Sequence, residues 1–189
     1  MSGTLSFTVE KLSKLLGTPS APTLVDVRLD EDFALDPRLL PASFRCHYLQ
    51  VENLVAALAD KFVVVVCQRG AKLSHGFAAQ LRLKGIDAVS LIGGFEAWRD
   101  LGQPLIPLQT IPTNAQGKPK SWVTRHRPKI DRIACPWLIR RFVHPSAEFM
   151  FVPPEHVEGV AERFGATAFD MPTGQWTHEG DKCTFDKML

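Results

Sequence analysis

The run of five apolar residues from Phe62 to Val66 constrains the fold of this chain more than any other feature. Four valines after a phenylalanine are typical of a strand that is buried on both faces in a parallel sheet. A polar loop containing a glycine begins at Cys67, a helical pattern spans Leu73 to Lys84, and Ile86 to Ile92 alternates like the next strand. This order of strand, helix and strand predicts an open α/β sheet with right-handed crossovers.

The segments around the valine run define the domain organisation. Before it, Thr8 can cap a helix that Gly17 ends, residues 23–27 read as a strand, and residues 51–58 read as a helix. Prolines and glycines in residues 103–119 predict a linker. We therefore predict a parallel-sheet domain flanked by helices over residues 1–108, a linker over 109–120, and a smaller α+β domain over 121–189. The smaller domain should contain a helix around residues 133–142, a strand at 148–152, a helix at 155–164 and then irregular chain.

The composition excludes several classes of protein. Apolar residues make up 45% of the 189 residues and charged residues 22%, which is typical of a globular chain. The longest apolar run is far shorter than the roughly 20 residues of a membrane helix, and no signal-peptide pattern opens the chain, so we expect a cytoplasmic protein without a membrane partner. The four cysteines are widely spaced and form no CxxC pair, which predicts free thiols: Cys46, Cys67, Cys135 and Cys183.

Cys67 lies between the predicted buried strand and the helix that follows it. Open α/β sheets bind ligands at this edge, where the free N–H groups of the following helix point into the loop. The positive helix end, together with Arg69 and Lys72, favours a thiolate. A structural cysteine that ends a core strand is the alternative, but the basic loop favours a nucleophile.

Three motifs resemble those of the rhodanese family, and they occur in the order found in that family. They are Leu24-Val25-Asp26-Val27-Arg28, Cys67-Gln68-Arg69-Gly70-Ala71-Lys72 and Gly93-Gly94-Phe95-Glu96-Ala97-Trp98. The six-residue loop has the length found in sulfurtransferases, whereas related phosphatases have seven residues, which disfavours phosphate or arsenate chemistry. The chain departs from the family where the loop closes on Lys72 instead of Arg or Thr, and where residues 39–43 replace a G-H-I-P-G-A stretch.

This resemblance implies a cofactor-free sulfurtransferase with a rhodanese-like fold. In the family, the cysteine takes a sulfane sulfur from a small donor such as thiosulfate, becomes a persulfide and passes the sulfur to a thiol or another nucleophile. Cys67 would be the catalytic residue, and Asp26 and Arg28 would form a supporting ion pair. The other loop residues would bind the substrate: Gln68, Arg69, Gly70, Ala71 and Lys72.

A basic block follows the predicted linker. Residues 118–141 carry eight basic residues, and Asp131 is the lone acid among them. Such a block can bind an oxyanion, although a solvated face or pairing with the acidic tail is the commoner use. Nucleic acid is not the expected partner, because no helix-turn-helix precedes the block and few aromatic residues interleave it. The candidate oxyanion-binding residues are Arg125, His126, Arg127, Lys129 and Arg132.

Residues 122–142 resemble the core of the C-terminal domain of chromate-resistance regulatory proteins, and residues 149–153, 169–170 and 178–186 continue the likeness. The resemblance implies chromate sensing or resistance, with chromate or another tetrahedral oxyanion held by the basic block. Domains of this family usually continue with further helices, so this chain is expected either to be a truncated form or not to need them. The two functions that remain are a sulfurtransferase acting in an oxyanion or redox context and an oxyanion-sensing regulator with an accessory rhodanese domain. Dependence of sulfur transfer on Cys67 distinguishes them.

Two further expectations concern the side chains of this second domain. Pro136 suits the first turn of a helix, which would put Cys135 near a helix N-terminus, with a small buried core residue as the alternative. Four side chains could also gather a metal, but their sequence spacings of 44, 8 and 5 residues match no short ligand motif. These four are His126, Asp170, His178 and Cys183. The sequence therefore predicts no metal.

Overall fold

The computed structural model describes residues 5–113, 121–127 and 129–189. The chain divides into two compact units, Met1–Leu108 and Gln109–Leu189. A short 3-10 turn, Leu108–Thr110, lies at the division. Most of the expected linker, residues 114–120, lies outside the described residues. The domain limits at residues 108 and 120 therefore stay predictions.

A five-stranded parallel sheet forms the centre of the first unit, as the sequence predicted. In spatial order its strands are β1 (Ser6–Phe7), β6 (Ala88–Leu91), β5 (Val63–Val66), β2 (Thr23–Asp26) and β4 (Ser43–Arg45). A separate antiparallel pair joins β3 (Arg38–Leu39) to β7 (Ile106–Pro107). The carboxyl ends of β2, β4 and β5 therefore lie side by side at one edge of the larger sheet.

The valine strand β5 is buried along its whole length, and its side chains alternate between two hydrophobic clusters. The first and third valines belong to the cluster that contains Phe77, whereas the second and fourth belong to the cluster that contains Trp98. Successive strand residues point to opposite faces, so a strand covered on both sides needs apolar residues at every position. This requirement explains the uninterrupted run.

Five α-helices lie within the described residues of the first unit, 5–108. They are α1 (Val9–Leu15), α2 (Asp30–Leu35), α3 (Val55–Leu58), α4 (Lys72–Leu83) and α5 (Gly94–Asp100). The predicted cap of α1 is confirmed, because Thr8 Oγ1 accepts a hydrogen bond from the Lys11 N–H at 3.2 Å. The helix expected over residues 51–58 begins as a 3-10 turn, Val51–Leu54, which continues into α3.

The second unit is built on a three-stranded parallel sheet. Its strands, in spatial order, are β10 (Thr167–Ala168), β8 (Trp122–Arg125) and β9 (Phe149–Val152). Its helices are α6 (Ile130–Leu138), α7 (Val157–Phe164) and α8 (Thr184–Met188), with a π turn at Ile139–Val143 and a 3-10 turn at Pro154–His156. This unit contains both the helices and the strands expected for it, and its parallel strands alternate with helices along the chain, as in α/β proteins.

Two expectations for the second unit are wrong. Pro136 is the seventh residue of α6 instead of a first-turn residue, because the helix already begins at Ile130 with Asp131 in its first turn. The chain beyond residue 164 is not all irregular, because it forms β10 and α8. Helix α8 has only five residues and starts where the Cys183 N–H donates to Asp186 Oδ2 at 3.1 Å. Such a short helix has no apolar periodicity that could be read from the sequence.

Among the residues that the structure describes, no helix combines the length and the apolarity needed to cross a bilayer.

Candidate functional site

Cys67 directly follows β5 at the carboxyl edge of the parallel sheet, and the residue is 4% exposed. Its Sγ accepts a hydrogen bond from the Ala71 N–H at 3.2 Å. The Ser74 hydroxyl, in the first turn of α4, lies 3.1 Å from the same sulfur. The loop thus curls back so that its own backbone and the start of α4 surround the sulfur. An N–H donor at this distance stabilises negative charge on sulfur.

Gly70 and Gly94 allow this loop to pack directly against the turn that precedes α5. Both have positive φ angles, 63° and 59°, which glycine adopts without steric cost. A Cβ on Gly70 would lie 2.6 Å from Gly93 N and 2.7 Å from Gly94 N, so no larger residue fits. The Cys67 carbonyl accepts the Phe95 N–H at 2.9 Å, which ties the loop to the first turn of α5.

Glu96, in α5, holds the outer part of the loop. Its backbone N–H donates to the Gln68 carbonyl at 3.0 Å, and its carboxylate accepts from Gln68 Nε2 at 3.1 Å. Arg69 lies 3.3 Å from the same carboxylate, but its side chain is 79% exposed. Lys72 is the exposed first residue of α4. Of the predicted substrate-binding residues, Gly70 and Ala71 therefore shape the sulfur site, and Gln68 and Arg69 are held by Glu96.

Asp26 and Arg28 form a buried ion pair at the end of β2, with side chains 1% and 0% exposed. The Asp26 carboxylate accepts the Arg28 backbone N–H at 2.9 Å and its Nε at 2.8 Å. The guanidinium also donates to the carbonyls of Asp36 and Arg38, and it lies 3.8 Å from the centre of the Phe95 ring. Every nitrogen of this guanidinium has a protein partner, so the pair connects β2 to β3 and to α5 in the way expected of a supporting ion pair.

Sequence reasoning missed two residues of this site, Ser74 and Glu96. Ser74 is fully buried and its hydroxyl also lies 3.1 Å from the Ala71 carbonyl. The sequence could have indicated Ser74, because it is a polar residue on the buried face of α4, seven positions after the cysteine. Glu96 lies within the glycine-rich motif that the sequence analysis singled out, and its position in the first turn of a helix was the clue to its role.

In the second unit, Asp170 brings two of the predicted cations together. Its Oδ2 accepts from Arg132 Nε at 2.6 Å and from Arg125 Nη2 at 3.1 Å. Arg132 Nη1 donates in addition to the carbonyls of His126 and Arg127, at 3.1 and 2.5 Å. Two nitrogens of the Arg132 guanidinium, Nε and Nη1, therefore have partners within the protein. His126 and Arg127 contact Arg132 through their backbone carbonyls, which accept these hydrogen bonds.

A cavity of about 540 Å³ opens beside these arginines. The residues that line it are Arg125, Lys129, Ile130, Asp131, Arg132, Asp170, His178 and Cys183. Three of the five predicted oxyanion-binding residues, Arg125, Lys129 and Arg132, thus face one cavity. Arg125 Nε is buried and has no hydrogen-bond partner among the described residues. A polar anion in the cavity is the kind of ligand that such a donor can bind.

Cys135 lies in the middle of α6, fully buried, and not at a helix N-terminus. Burial raises the pKa of its thiol to about 12, and the nearby carboxylates of Asp131 and Asp170 add to the effect. The expectation that Cys135 lies near a helix N-terminus is therefore wrong, and the alternative of a small core residue is confirmed. Cys135 packs in the cluster that contains Trp122 and Phe169.

Each unit contains one of these sites, and each unit matches a known domain family. Residues 8–101 match the model of the rhodanese-like domain, and residues 122–189 match the model of the ChrB C-terminal domain. The chain therefore joins a rhodanese-like domain to a ChrB-type C-terminal domain, and both resemblances drawn from the sequence are confirmed.

Individual relatives match only part of the chain. Protein ChrB of Cupriavidus metallidurans is 40% identical over 78 residues, which are 41% of this chain and 22% of that protein. A rhodanese-related protein from Thermoplasma volcanium covers 55% of this chain and 98% of its own, with 22% identity and a TM-score of 0.46. A rhodanese-like domain protein from Staphylococcus aureus covers 50% of this chain and 91% of its own, with 27% identity and a TM-score of 0.45. The thiosulfate sulfurtransferase of Pseudomonas aeruginosa covers 53% of this chain and 19% of its own, with 22% identity and a TM-score of 0.47.

Proposed function

We propose that the first unit transfers sulfane sulfur through a persulfide on Cys67. The observation that carries this proposal is the cradle around Cys67 Sγ, in which the Ala71 N–H donates to the sulfur at 3.2 Å. The first N–H groups of α4 have no partners within the helix and provide further donors for an anion. A thiolate held in this way is a ready nucleophile.

The reaction proceeds in two displacements. The Cys67 thiolate attacks the outer sulfur of a donor such as thiosulfate, the S–S bond of the donor breaks, and sulfite leaves with the electron pair. A thiolate acceptor then attacks the outer sulfur of the Cys67 persulfide, and Cys67 leaves as a thiolate. No net oxidation occurs, so the reaction needs neither a metal nor an organic cofactor. The acceptor would be a small thiol or another nucleophile.

Two features of the loop support an anionic donor. Lys72 stands at the start of α4, where its charge adds to the positive end of the helix. Gln68 Nε2 donates to the Glu96 carboxylate at 3.1 Å and Arg69 lies 3.3 Å from it, so Glu96 restrains the outer part of the loop. A preorganised set of donors stabilises the charge that develops on the persulfide and on the leaving group.

The test is thiosulfate-to-thiol sulfur transfer by the intact chain, combined with the intact mass of the protein after incubation with thiosulfate. Wild type should turn over and gain the mass of one sulfur atom, whereas Cys67→Ser should do neither. Cys46→Ser is the matched control, because Cys46 follows β4 at the same edge of the parallel sheet and is also a free thiol. Turnover that persists in Cys67→Ser, or that depends equally on Cys46, would contradict the proposal.

The second unit supports a second candidate function, the binding of a tetrahedral oxyanion such as chromate or sulfate. The observation that favours it is the unpartnered, buried Nε of Arg125 beside the cavity that Lys129 also lines. Titration calorimetry with sulfate and with chromate should detect binding that Arg125→Gln weakens. Arg163→Gln, a change of an exposed arginine in α7, should leave it unchanged. Binding that survives Cys67→Ser would support an oxyanion-sensing regulator with an accessory rhodanese domain.

A further inference from the structure

Three side chains meet in the cavity of the second unit although they are far apart in the sequence. They are Asp131 from the first turn of α6, Asp170 from the segment after β10, and His178 from the segment before α8. His178 Nε2 lies 3.4 Å from Asp131 Oδ2 and 3.5 Å from Asp170 Oδ1. One ligating atom from each residue can be chosen so that all three lie within 4.8 Å of one another. The set includes a residue, Asp131, that the sequence reasoning about metals had left out.

The distances fit metal coordination better than direct hydrogen bonding. Hydrogen bonds from a ring nitrogen to a carboxylate are about 2.7–3.2 Å long, and both contacts of His178 are longer. Two ligands bound tetrahedrally at about 2.1 Å from one ion lie about 3.4 Å apart. The imidazole therefore lies at about this separation from both carboxylates, and the ligating oxygens of the two carboxylates lie within 4.8 Å of each other.

The two carboxylates of the cluster are nearly buried, and Arg132 and Arg125 donate hydrogen bonds to only one carboxylate oxygen of Asp170. Asp131 and Asp170 are 7% and 4% exposed, and burying two carboxylates so close together is costly without compensation. Asp170 Oδ2 is compensated by Arg132 and Arg125, but its Oδ1 faces the cluster. Asp131 Oδ2 accepts the Thr184 N–H at 2.9 Å, and His178 Nε2 lies 3.4 Å from the same oxygen.

We propose that Asp131, Asp170 and His178 bind one divalent first-row transition ion of the Zn²⁺ or Mn²⁺ type. Two carboxylate oxygens and one imidazole nitrogen suit such ions. Three protein ligands leave a coordination position open, as in catalytic zinc sites, and the site lies in a cavity with room for a further ligand. Arg132 and Arg125 orient the Asp170 carboxylate from its other oxygen, which is the role of an outer-shell partner.

This site does not depend on sulfur transfer, because all of its residues belong to the second unit. It also does not depend on oxyanion binding, since the ligands of the ion are not the cations proposed to hold the anion. Failure of either proposed function would leave the metal proposal standing, because its measurements use the metal alone.

The experiment is a binding titration of the full chain after removal of metal with a chelator. Mn²⁺ and Zn²⁺ are titrated separately in the absence of oxyanions, by calorimetry for both ions and by the spin resonance of free Mn²⁺. Wild type should bind one ion. His178→Gln and Asp131→Asn should each weaken the binding by at least about 10-fold, since even outer-shell changes cost 10- to 100-fold. His156→Gln is the matched control, because His156 is an exposed histidine of the same unit.

Two results would overturn the proposal. One is wild-type binding that is absent, or that is no tighter than that of His178→Gln. The other is Zn²⁺ binding that Cys183→Ser abolishes and His178→Gln leaves intact, which would assign the ion to thiols. His178 is largely exposed, so its replacement should not disturb folding, and circular dichroism of each variant verifies this.

Discussion

The thiol of Cys67 lies 3.1 Å from the hydroxyl of Ser74, a residue that is itself fully buried. The thiol donates to the serine oxygen, and the serine hydroxyl also lies 3.1 Å from the Ala71 carbonyl. When Cys67 loses its proton, the hydroxyl can rotate and donate to the sulfur instead, because a hydroxyl both donates and accepts. Ser74 is thus a positioning residue that adds a second donor to the one provided by the Ala71 N–H.

Replacing Ser74 by alanine should slow sulfur transfer. A hydrogen bond to a charged group contributes about 1.5–3 kcal/mol, so we expect kcat/KM for thiosulfate to fall by about 10-fold or more. The rate of alkylation of Cys67 by iodoacetamide should fall as well, because the variant lacks the hydroxyl next to the sulfur. Ser43→Ala is the control, because Ser43 is also buried and donates to a carbonyl, that of Leu40, away from the loop. Equal effects of the two changes would contradict this role for Ser74.

Replacing Gly70 by alanine should disrupt the loop and destabilise the fold. A Cβ there would lie 2.6 Å from Gly93 N, and the φ of 63° disfavours any other residue. We expect a loss of about 2 kcal/mol in the free energy of unfolding and loss of sulfur transfer. Gly76→Ala is the matched control within α4, because beyond the chain neighbours and the nearby backbone of α4 no described atom lies within 4 Å of its added Cβ. That change should stabilise the protein by about 0.5–1 kcal/mol in urea unfolding.

The parallel sheet and the sulfur loop could be predicted from the sequence because their signals are local. The valine run needs no distant partner to reveal burial on both faces, and the Cys67 loop is one continuous stretch between a strand and a helix. Thr8 likewise caps its helix within four residues. The register of the sheet, by contrast, depends on contacts between strands far apart in the chain.

The second unit was harder to predict because its site is assembled across long sequence distances. Asp170 is joined to Arg132 over 38 residues and to Arg125 over 45. Nothing in the spacing of these residues indicates such pairs, and a block of positive charge reads equally as a solvated face. The predicted start of this helix was wrong because of Pro136. A proline is commonest in the first turn of a helix, but this one lies within α6.

Replacing Asp26 by alanine should be strongly destabilising. The Arg28 side chain is fully buried, and the change would leave its charge without a carboxylate. Removing one partner of a buried ion pair costs about 3–5 kcal/mol, which urea unfolding would detect. Asp100→Ala breaks the exposed pair with Arg99 and should cost less than about 1 kcal/mol. Similar losses for both variants would show that the buried pair does not stabilise the fold.

Cys135 should resist alkylation in the folded protein up to alkaline pH. Burial raises the pKa of its thiol to about 12, so the thiolate that reacts with iodoacetamide is scarce at pH 8. Mass mapping after brief labelling should find Cys135 unmodified until urea unfolds the second unit. Cys183, which is partly exposed, is the internal comparison. Rapid modification of Cys135 without denaturant would contradict its burial.

The same pKa shift predicts how stability depends on pH. The folded state holds the Cys135 proton up to about pH 12, whereas the unfolded chain releases it near 9.0, the ordinary pKa of a cysteine thiol. The unfolded state therefore binds fewer protons between these values, and the free energy of unfolding must fall as the pH rises through that window. The contribution is present in full below about pH 9, and it is lost at up to about 1.4 kcal/mol per pH unit above it. Urea unfolding between pH 8 and 11 should show a shallower decline for Cys135→Ala than for wild type, and identical slopes would contradict the shift.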